Sequence, residues 1–407
     1  MSAISDLSDQ DLTAFNAQYW APEMQNMYFK QNVARGFVNE ELRNVLVDGT
    51  RVHRPYRAIG RDTSYTKGTA ISAWNDLGGT DEYLDVDTVR IVPSYVDDLD
   101  KLQNKWDIAT KAAQDSQMVL NNRIDQAVLA NYSSAGSFIS AQDLGGSGTG
   151  AATINTANIA NMFTVADRNL NKYNRTGGMK FAAIGPRMLE TIKLSAAGRE
   201  TGFGDEVGMN GSVGKRFGFD LFLSNNIPFS STIVTSGIPT AAELFYVDGI
   251  KFTWEAHGTG CDTAGYVDIG TTEDEAYANL VLAINGTTAG TTSTYYDVAA
   301  DDREALILGG VTASYTAHAL IISGYGDVVI NESTTSNVTS VTTTSYPLFG
   351  IKGAIDFVIQ KEPSVEFRTC ENLLGRKIYA WTTYGSKVFT KEEKSLVYGS
   401  VNASSWV

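Results

Sequence analysis

Asp97–Asn131, DDLDKLQNKWDIATKAAQDSQMVLNNRIDQAVLAN, is the stretch that decides the fold of this chain. Its apolar residues recur mainly at steps of three and four, which is the spacing of one face of an α-helix. Aspartates fill the first turn, where carboxylates complement the positive end of the helix dipole, and neither Gly nor Pro interrupts the run. At about 1.5 Å per residue, the pattern predicts a helix roughly 50 Å long.

This predicted spine helix has one narrow apolar stripe, so we expect it to be buried on one side and exposed on the other. A coiled-coil arm or the long helix of a bundle would show the same pattern. We predict that the stripe packs in a core. Its principal members are Leu99, Leu102, Trp106, Leu120 and Ile124.

Acidic residues are unevenly distributed along the 407-residue chain, whose formal net charge is −14. Gly237–Ser345 holds 14 acidic residues against two basic ones, a balance of −12, whereas the rest of the chain holds 32 against 30. Within this acidic segment, GYVDIG and ALIISGYGDVVI read as strands around a helix at TEDEAYANLVLAIN. We therefore predict a small α/β domain inserted into a near-neutral chassis. The net negative charge argues against a dedicated nucleic-acid binder.

The N-terminal part of the chain is expected to project rather than to form a core. Residues 1–48 carry aromatic side chains in an amphipathic helical rhythm and are predicted to be an arm. Residues 49–96 consist of short alternating segments separated by glycines, which is typical of a β-hairpin. No helix accompanies this hairpin to bury it, so we expect it to extend away from the body.

The first limb of this hairpin is basic and its second limb is acidic. A loop with opposite charges on its two limbs can join copies of the chain across an interface. Two other uses of the same residues remain open. They are solvated ion pairs within one hairpin and contact of the basic limb with nucleic acid. We predict inter-subunit contacts through the arm and the hairpin. The residues are Trp20, Arg51, Arg54, Arg57, Arg61, Lys67, Asp81 and Glu82.

The remaining chassis alternates between helical and strand patterns. INTANIANMFTVADRNLNKYN predicts a second helix, MKFAAIG a buried strand, and GPRMLETIKL a helix with Pro186 at its first position. Such alternation indicates an α/β-type layer. Near the end of the chain, Ser364–Thr369 and Lys377–Thr383 are predicted to be strands that flank a turn.

No motif of catalysis or cofactor binding is complete. His257 and Cys261 are four residues apart, but no further ligand is near enough in sequence to complete a zinc site. Cys261 and Cys370 make no disulfide framework, and no apolar run approaches the roughly 18 residues of a membrane span. We expect a non-enzymatic protein, made in a reducing cytoplasm, with no cofactor, no metal and no membrane partner.

Five stretches resemble, in their order and spacing, the major capsid proteins of tailed bacteriophages with the Hong Kong 97-type fold. Together they cover most of the chassis. They are DGTRVHRPYRAIG, VPSYVDDLDKLQNKWDIATKAAQDSQMVLNNRIDQAVLANY, MKFAAIGPRMLETI, GSVGKRFGFDLFLSNNIP and FVIQKEPSVEFRTCENLLGRKIYAWTTYGSKVF.

The resemblance implies an α+β fold with an arm, an extended loop, a peripheral domain built on the spine helix, and an axial domain. The implied boundaries are 1–48 for the N-terminal arm, 49–96 for the extended loop, 97–134 with 355–398 for the peripheral domain, 135–236 with 346–354 for the axial domain, and 237–345 for the inserted domain. Some relatives cross-link Lys to Asn between subunits. Lys67 lies in the corresponding loop, although no motif here requires that chemistry.

The resemblance also implies a structural protein of the virion capsid that self-assembles into hexamers and pentamers of an icosahedral head enclosing double-stranded DNA. Assembly in the host cytoplasm is expected, with a scaffolding protein, a portal and a decoration protein as partners and weak non-specific contact with the packaged DNA. An encapsulin-type compartment protein and a phage tail-tube protein remain alternatives. The Thr-rich acidic segment taken alone would suit a carbohydrate-binding or hydrolytic surface protein.

The position of the acidic segment in such a shell follows from its charge. Hundreds of copies must meet at their edges, so a strongly acidic segment is tolerated only where it points into solvent. We expect Gly237–Ser345 to face outward near the centre of the capsomer.

Overall fold

A computed structural model of the chain describes residues 32–46, 49–71, 74–75, 78–103, 108–175, 177–197, 215–287, 294–332, 337–370 and 374–402. The α-helices are α1 Asp98–Gln103, α2 Ile108–Leu129, α3 Ile159–Lys172, α4 Pro186–Ala197, α5 Glu273–Asn285 and α6 Ala300–Gly309. The β-strands are β1 Arg51–His53, β2 Tyr56–Arg57, β3 Gly79–Thr80, β4 Tyr83–Asp85, β5 Thr88–Asp97, β6 Ser137–Ile139, β7 Lys180–Ile184, β8 Lys215–Arg216, β9 Phe219–Leu223, β10 Pro228–Thr235, β11 Leu244–Val247, β12 Ile250–Glu255, β13 Tyr266–Asp268, β14 Thr312–Thr316, β15 Ala319–Tyr325, β16 Ile330–Glu332, β17 Val338–Ser345, β18 Leu348–Ile351, β19 Asp356–Thr369, β20 Gly375–Lys387, β21 Leu396–Gly399 and β22 Val401–Asn402. Within these ranges, no helix combines the length and the apolar character needed to cross a lipid bilayer.

The spine occurs as α1 and α2, and α2 runs into a 3₁₀ turn at Ala130–Ser134. Residues 104–107, Trp106 among them, lie outside the described residues. Leu120 and Ile124 are fully buried, and α2 packs against the sheet formed by β19, β20 and β5. The second half of the predicted stripe therefore lies in the core.

The start of the spine is exposed. Leu99 is 53% exposed and Leu102 is 83% exposed, in contrast to the prediction that places both in the core stripe. The sheet under α2 ends at the Gly375↔Asp97 pair, and α1 begins at the next residue. Sequence periodicity defines which side of a helix is apolar, but it does not define how far the surface facing that side extends.

The three-stranded sheet has the order β19–β20–β5 and is antiparallel throughout. The two predicted closing strands are parts of the longer β19 and β20. Thr88–Asp97, which the sequence-based boundaries assign to the hairpin, instead pairs along its whole length with β20. Pairing with β20 places this strand in the sheet that packs against α2, which a hairpin limb extending away from the body would not contact.

A six-stranded sheet with the order β6–β21–β18–β7–β9–β8 forms the second layer of the chassis. Its strand β7 is almost entirely buried, as MKFAAIG predicts, and Pro186 begins α4. Helix α3 covers this sheet with a single apolar face. That face comprises Ile159, Met162, Phe163, Val165, Ala166 and Leu170.

A two-sheet unit contains the acidic segment. It consists of the five-stranded sheet β14–β15–β10–β17–β22 and the four-stranded sheet β13–β12–β11–β16, which share one hydrophobic core with α5 and α6. The central strand β10 and the edge strand β22 both lie outside Gly237–Ser345. The five-stranded sheet thus extends across the expected boundary, because its middle strand is supplied by the chassis sequence that leads into the segment.

A buried carboxylate on the spine joins three distant parts of the chain. Asp125 is fully buried, and its Oδ1 accepts hydrogen bonds from the backbone N–H groups of Val33 (3.0 Å) and Ala34 (2.8 Å). Its Oδ2 accepts from Ser224 Oγ (3.1 Å) and Asn226 Nδ2 (2.9 Å). Four donors on two oxygens compensate the cost of burying this group.

The same helix holds the two-sheet unit by the C-terminal end of α6. Asn122 Nδ2 and Gln126 Nε2 donate to the carbonyl oxygen of Leu308 over 3.0 and 2.8 Å. Arg123 Nη2 donates to the carbonyl oxygen of Ile307 over 2.7 Å. The last carbonyls of a helix have no partner within that helix, so side chains of α2 cap α6 and orient the unit on the chassis.

Truncation of the buried half of the spine should destabilise the chain, and truncation of its exposed half should not. Leu120→Ala and Ile124→Ala should each lower the free energy of unfolding by about 2–5 kcal/mol, because each leaves a cavity under α2. Leu102→Ala is the matched control and should change it by less than about 0.5 kcal/mol. Urea unfolding of the full chain measures all three, and equal losses would contradict the burial described above.

Candidate functional site

The described part of the hairpin is a narrow two-stranded ribbon. β1 pairs with β4 from Arg51↔Asp85 to His53↔Tyr83, and β2 pairs with β3 through Tyr56↔Thr80 and Arg57↔Gly79. Every described residue from 58 to 78 beyond these strands is exposed. The ribbon therefore has a base next to the body and a tip that none of the described residues covers.

The base of the hairpin is fixed to the body of its own chain. Val52 and Leu84 are buried in a small separate core. The members of that core are Leu46, Val52, Leu84, Val86, Val358 and Phe389. β4 also crosses β20 closely, since a Cβ at Gly385 would lie 2.1 Å from the carbonyl oxygen of Asp85. Only glycine allows this approach, so the hairpin leaves the body in a defined direction.

The tip of the hairpin carries large apolar side chains that contact little of the described chain. Ile59 is 87% exposed and Trp74 is 83% exposed, and Tyr65 and Ile71 are also mostly exposed. Single exposed apolar residues are common on protein surfaces, but a group of four on one projecting ribbon is typical of an interaction site.

Two of the residues predicted to contact a neighbouring subunit have partners inside their own hairpin. Arg51 Nε lies 2.6 Å from Asp85 Oδ1, and the Arg51 guanidinium lies 3.7 Å from the centre of the Tyr83 ring. Asp81 Oδ2 lies 2.7 Å from His53 Nδ1. These are the solvated cross-strand pairs that the charge pattern also allowed, and each contributes little to stability.

Two further residues tie the hairpin to the body. Arg54 Nη1 donates to Asp356 Oδ2 over 2.6 Å, and Asn39 Nδ2 donates to Asp356 Oδ1 over 2.7 Å. Asp356 is fully buried, and burial raises its pKa despite the adjacent arginine. Glu82 accepts from the backbone N–H of Thr390 over 3.2 Å. Arg54 and Glu82 therefore act as anchors within one chain.

The predicted cations nearer the tip are different. Arg57, Arg61 and Lys67 are all exposed, and none has an ion pair with a described residue. Asn75 Nδ2 donates to the backbone carbonyl of Arg61, not to its side chain, over 2.5 Å. The tip therefore combines positive charge with apolar side chains, and no described residue covers either of them.

The segment that leads out of the arm is held on β19 by charge. Arg35 lies 2.9 Å from Glu40 and 3.0 Å from Glu362, and Arg43 lies 3.0 Å from the same Glu362 oxygen. Trp20, the arm residue predicted to contact a neighbour, lies outside the described residues.

Sequence reasoning missed Asp356 and Glu362 as anchor residues. The signal for Asp356 was present in GAIDFVIQ, because a single acidic residue in an apolar run is stable only with a partner.

A second exposed apolar surface lies on the edge strand β5. Val89, Ile91 and Tyr95 occupy alternate positions and are all exposed. A long edge strand with apolar side chains on one face is prone to pair with other chains unless something covers it. This strand therefore offers a second contact surface besides the tip.

The residues considered for a metal site have other roles. His257 Nδ1 lies 3.0 Å from Asp268 Oδ1, and burial raises the pKa of the Cys261 thiol to about 11. A thiol with a raised pKa is a poor metal ligand and a poor nucleophile at neutral pH. In the ranges that the structure covers, no group of three or more His, Cys, Asp or Glu side chains is arranged to hold a metal ion.

Comparison with known proteins gives similarity in structure but not in sequence. No family model and no curated protein matches the chain. A structure from Mycobacterium phage Che8 aligns over 95% of this chain and 97% of its own, with a TM-score of 0.58 and 13% identity. The capsid structure of Cyanophage P-SCSP1u aligns over 96% of this chain and 94% of its own, with a TM-score of 0.52 and 12% identity. The chain therefore has the fold of these phage structures, which confirms the predicted α+β Hong Kong 97-type capsid fold.

Loss of the Arg54 anchor should destabilise the chain in a pH-dependent manner. Arg54→Ala leaves Asp356 buried without a cation, and we expect a loss of about 1–3 kcal/mol at pH 7.5, reduced from the usual figure for a buried pair because Arg54 is partly exposed. The pKa of Asp356 is already raised and should rise further. Because its pKa is raised in the folded state, Asp356 stabilises the folded chain when it is protonated. This stabilisation is fully present below the unfolded pKa and is lost as the pH rises through the folded pKa. Thermal melting should therefore show a smaller loss at pH 4 than at pH 7.5.

Two further variants control this experiment. Arg57→Ala removes an exposed arginine from the same hairpin and should leave the melting temperature nearly unchanged. Asp356→Asn in the Arg54→Ala background should abolish the difference between the two pH values. A pH-independent loss in Arg54→Ala alone would contradict the role assigned to the pair.

Proposed function

We propose that this chain is the major capsid protein of a tailed bacteriophage, and that its copies assemble into the hexamers and pentamers of an icosahedral head enclosing double-stranded DNA. One observation carries the proposal. The hairpin is fixed to its own body at the base, while its tip presents apolar side chains and positive charge to solvent. Such a tip becomes stable when the surface of another subunit covers it.

The energetics of the tip favour a contact between subunits. Burying an exposed Ile, Tyr or Trp side chain contributes about 1.5–3 kcal/mol each. Because the base holds the ribbon in a defined direction, less conformational freedom is lost on docking than for a free loop. Repeated over every copy in a closed shell, this contribution favours assembly.

The charge distribution suits the same role. The chassis, outside Gly237–Ser345, has a balance of only −2, so its edges can meet without strong repulsion. We assign the three-stranded sheet with the spine to the peripheral domain and the six-stranded sheet to the axial domain. Gly237–Ser345, which forms most of the two-sheet unit, is the inserted domain of this proposal and points outward near the capsomer centre.

Other components of the proposal follow from the same role. The protein is structural and neither catalyses a reaction nor uses a cofactor. It assembles in the host cytoplasm with a scaffolding protein and a portal, and its later partners are a decoration protein and, through weak non-specific contacts, the packaged DNA. An encapsulin-type compartment would instead enclose enzyme cargo, and a tail tube would form cylinders, so the shape and contents of purified particles distinguish the three.

Removal of apolar surface from the tip should block assembly without unfolding the subunit. The double variant Ile59→Ser with Trp74→Ser removes two side chains that make little contact within one chain. We expect it to lower the particle yield at least tenfold while the subunit remains folded. Sedimentation and negative-stain electron microscopy measure the yield, and circular dichroism of the unassembled fraction measures the fold.

Ile238→Ser is the matched control, because Ile238 is also exposed and apolar but lies in the acidic segment. It should leave the yield unchanged. Normal particles from the tip variant, or equal losses from both variants, would contradict the assigned role of the hairpin.

The position of the acidic segment gives a separate test. A reconstruction of assembled particles should place Gly237–Ser345 on the outer surface near the capsomer centre, where its charge of −12 faces solvent. Density for this segment on the interior wall would overturn the assignment, because the packaged DNA would then lie against the most acidic part of the shell.

A further inference from the structure

Glu332 places a carboxyl group on the core side of the two-sheet unit. It is the last residue of the edge strand β16 and pairs with Phe245 of β11. Residues directly opposite each other in an antiparallel ladder point to the same face of the sheet. Phe245 is buried in the hydrophobic core of the unit. The side chain of Glu332 is therefore directed toward that apolar interior.

Among the residues that the structure describes, no positive charge acts on this carboxyl group. Its Oε2 is buried and has no hydrogen-bond partner. The acidic segment contains two basic residues, Lys251 and Arg303. Lys251 is exposed and pairs with Tyr246, on the opposite face of the sheet from Phe245. Arg303 is bound to Asp297 and to carbonyl oxygens at the end of α5.

The charged group that acts on Glu332 is another carboxylate. Glu243 precedes β11, and its Oε2 accepts from the backbone N–H of Thr240 over 3.0 Å and from Asn337 Nδ2 over 3.1 Å. Two donors therefore hold the Glu243 side chain in place. Burial, and after it the charge of Glu243, raises the pKa of Glu332 to about 7.

The other titratable groups on the elements packed nearby add no positive charge at this position. Tyr277 of α5 is buried in the same core, and burial raises its pKa. Glu273 at the start of α5 is already occupied, since its Oε1 lies 2.9 Å from His318 Nδ1 and accepts from Tyr315 Oη over 3.2 Å. His318 is therefore engaged with Glu273.

We propose that Glu332 is a protonation switch that controls the pairing of β16 with β11. The protonated carboxyl group stays in the core and keeps the edge strand in place. The ionised group is drawn toward water and takes β16 with it. The edge strand β16 is joined to β11 by three residue pairs, from Phe245↔Glu332 to Val247↔Ile330, and next to them the backbone N–H of Asp248 donates to the carbonyl oxygen of Val329 over 2.8 Å. Its release is therefore a local opening that leaves the rest of the unit in place.

The direction of the pH effect follows from the raised pKa. A carboxyl group with a raised pKa in the closed form stabilises that form at low pH, and the stabilisation is lost as the pH rises from its unfolded value toward the closed-form value. The equilibrium constant for release of β16 should rise about tenfold per pH unit between pH 5 and pH 7 and should level off above pH 7. The inference does not depend on the proposed capsid function.

Release of β16 would change the surface of the unit. The outer edge of β11 would lose its partner, and its backbone N–H and C=O groups would become available for pairing. The unit would then present an open sheet edge at neutral and basic pH and a closed edge at acidic pH.

Hydrogen–deuterium exchange of the full-length chain tests the switch. Peptides that cover Leu244–Val247 and Ile330–Glu332 should lose protection between pH 5 and pH 7, after correction for the intrinsic exchange rate at each pH. A peptide that covers Lys180–Ile184 in the six-stranded sheet is the internal reference and should keep its protection.

Three variants separate the switch from a purely structural role. Glu332→Gln should keep the edge protected at pH 7.5 and abolish the pH dependence. Glu243→Gln removes the repelling charge but keeps a hydrogen-bond acceptor, so the plateau should begin at a lower pH. Asp262→Asn removes an exposed charge from the same unit. It should change neither the protection of the edge at pH 7.5 nor the pH at which the plateau begins.

Several results would overturn the proposal. Constant protection of both peptides from pH 5 to pH 8 in the wild type would do so. So would unchanged pH dependence in Glu332→Gln. If Glu332→Gln failed to fold, an unshifted plateau in Glu243→Gln would also count against the switch.

Discussion

The buried carboxylate of Asp125 is the interaction on which the arrangement of the chain depends. A carboxyl group in an apolar interior is tolerated only when its oxygens are hydrogen-bonded, and the four donors come from the Val33–Ala34 backbone and from Ser224 and Asn226. The face of α2 that carries Asp125 therefore requires both the Val33–Ala34 segment and the segment with Ser224 and Asn226 as hydrogen-bond donors. The other side chains of the same helix then cap α6, so one helix orients the N-terminal segment, the two layers of the chassis and the two-sheet unit.

The hairpin shows how a chain can be stable alone and still require neighbours. Its base is satisfied internally, by the small core around Leu84 and by the pair of Arg54 with the buried Asp356. Its tip, around Ile59 and Trp74, is not covered by any described residue. Burial of apolar side chains stabilises the base within the subunit. At the tip, the apolar side chains can be buried in this way only by the surface of another molecule. This division is what a subunit of a shell needs, because assembly must not compete with folding.

The shortage of cations explains the chemistry of the acidic segment. With two basic residues for 14 acidic ones, most carboxylates must be satisfied by neutral donors or by solvent. Glu273 finds His318, Tyr315 and the Thr235 hydroxyl, and its pKa falls, whereas Glu332 faces the core with no donor for one of its oxygens and its pKa rises. The same composition therefore gives a solvated acidic exterior and two partly buried carboxyl groups, Glu332 and Asp327, whose pKa values burial raises.

The sequence by itself determined features that depend on neighbours along the chain. The buried face of α2, the buried strand β7, the start of α4 at Pro186 and the opposite charges of the two hairpin limbs all follow from local periodicity and residue type. Tertiary structure alone decided the features that require a partner far away in sequence. Leu102 is exposed because the sheet ends before α1, Thr88–Asp97 joins β20 instead of the hairpin, and Arg54 pairs with a carboxylate about 300 residues away. Periodicity records which side of an element is apolar, but the identity and the extent of the surface that covers it are set by long-range packing, which one sequence does not encode in any local pattern.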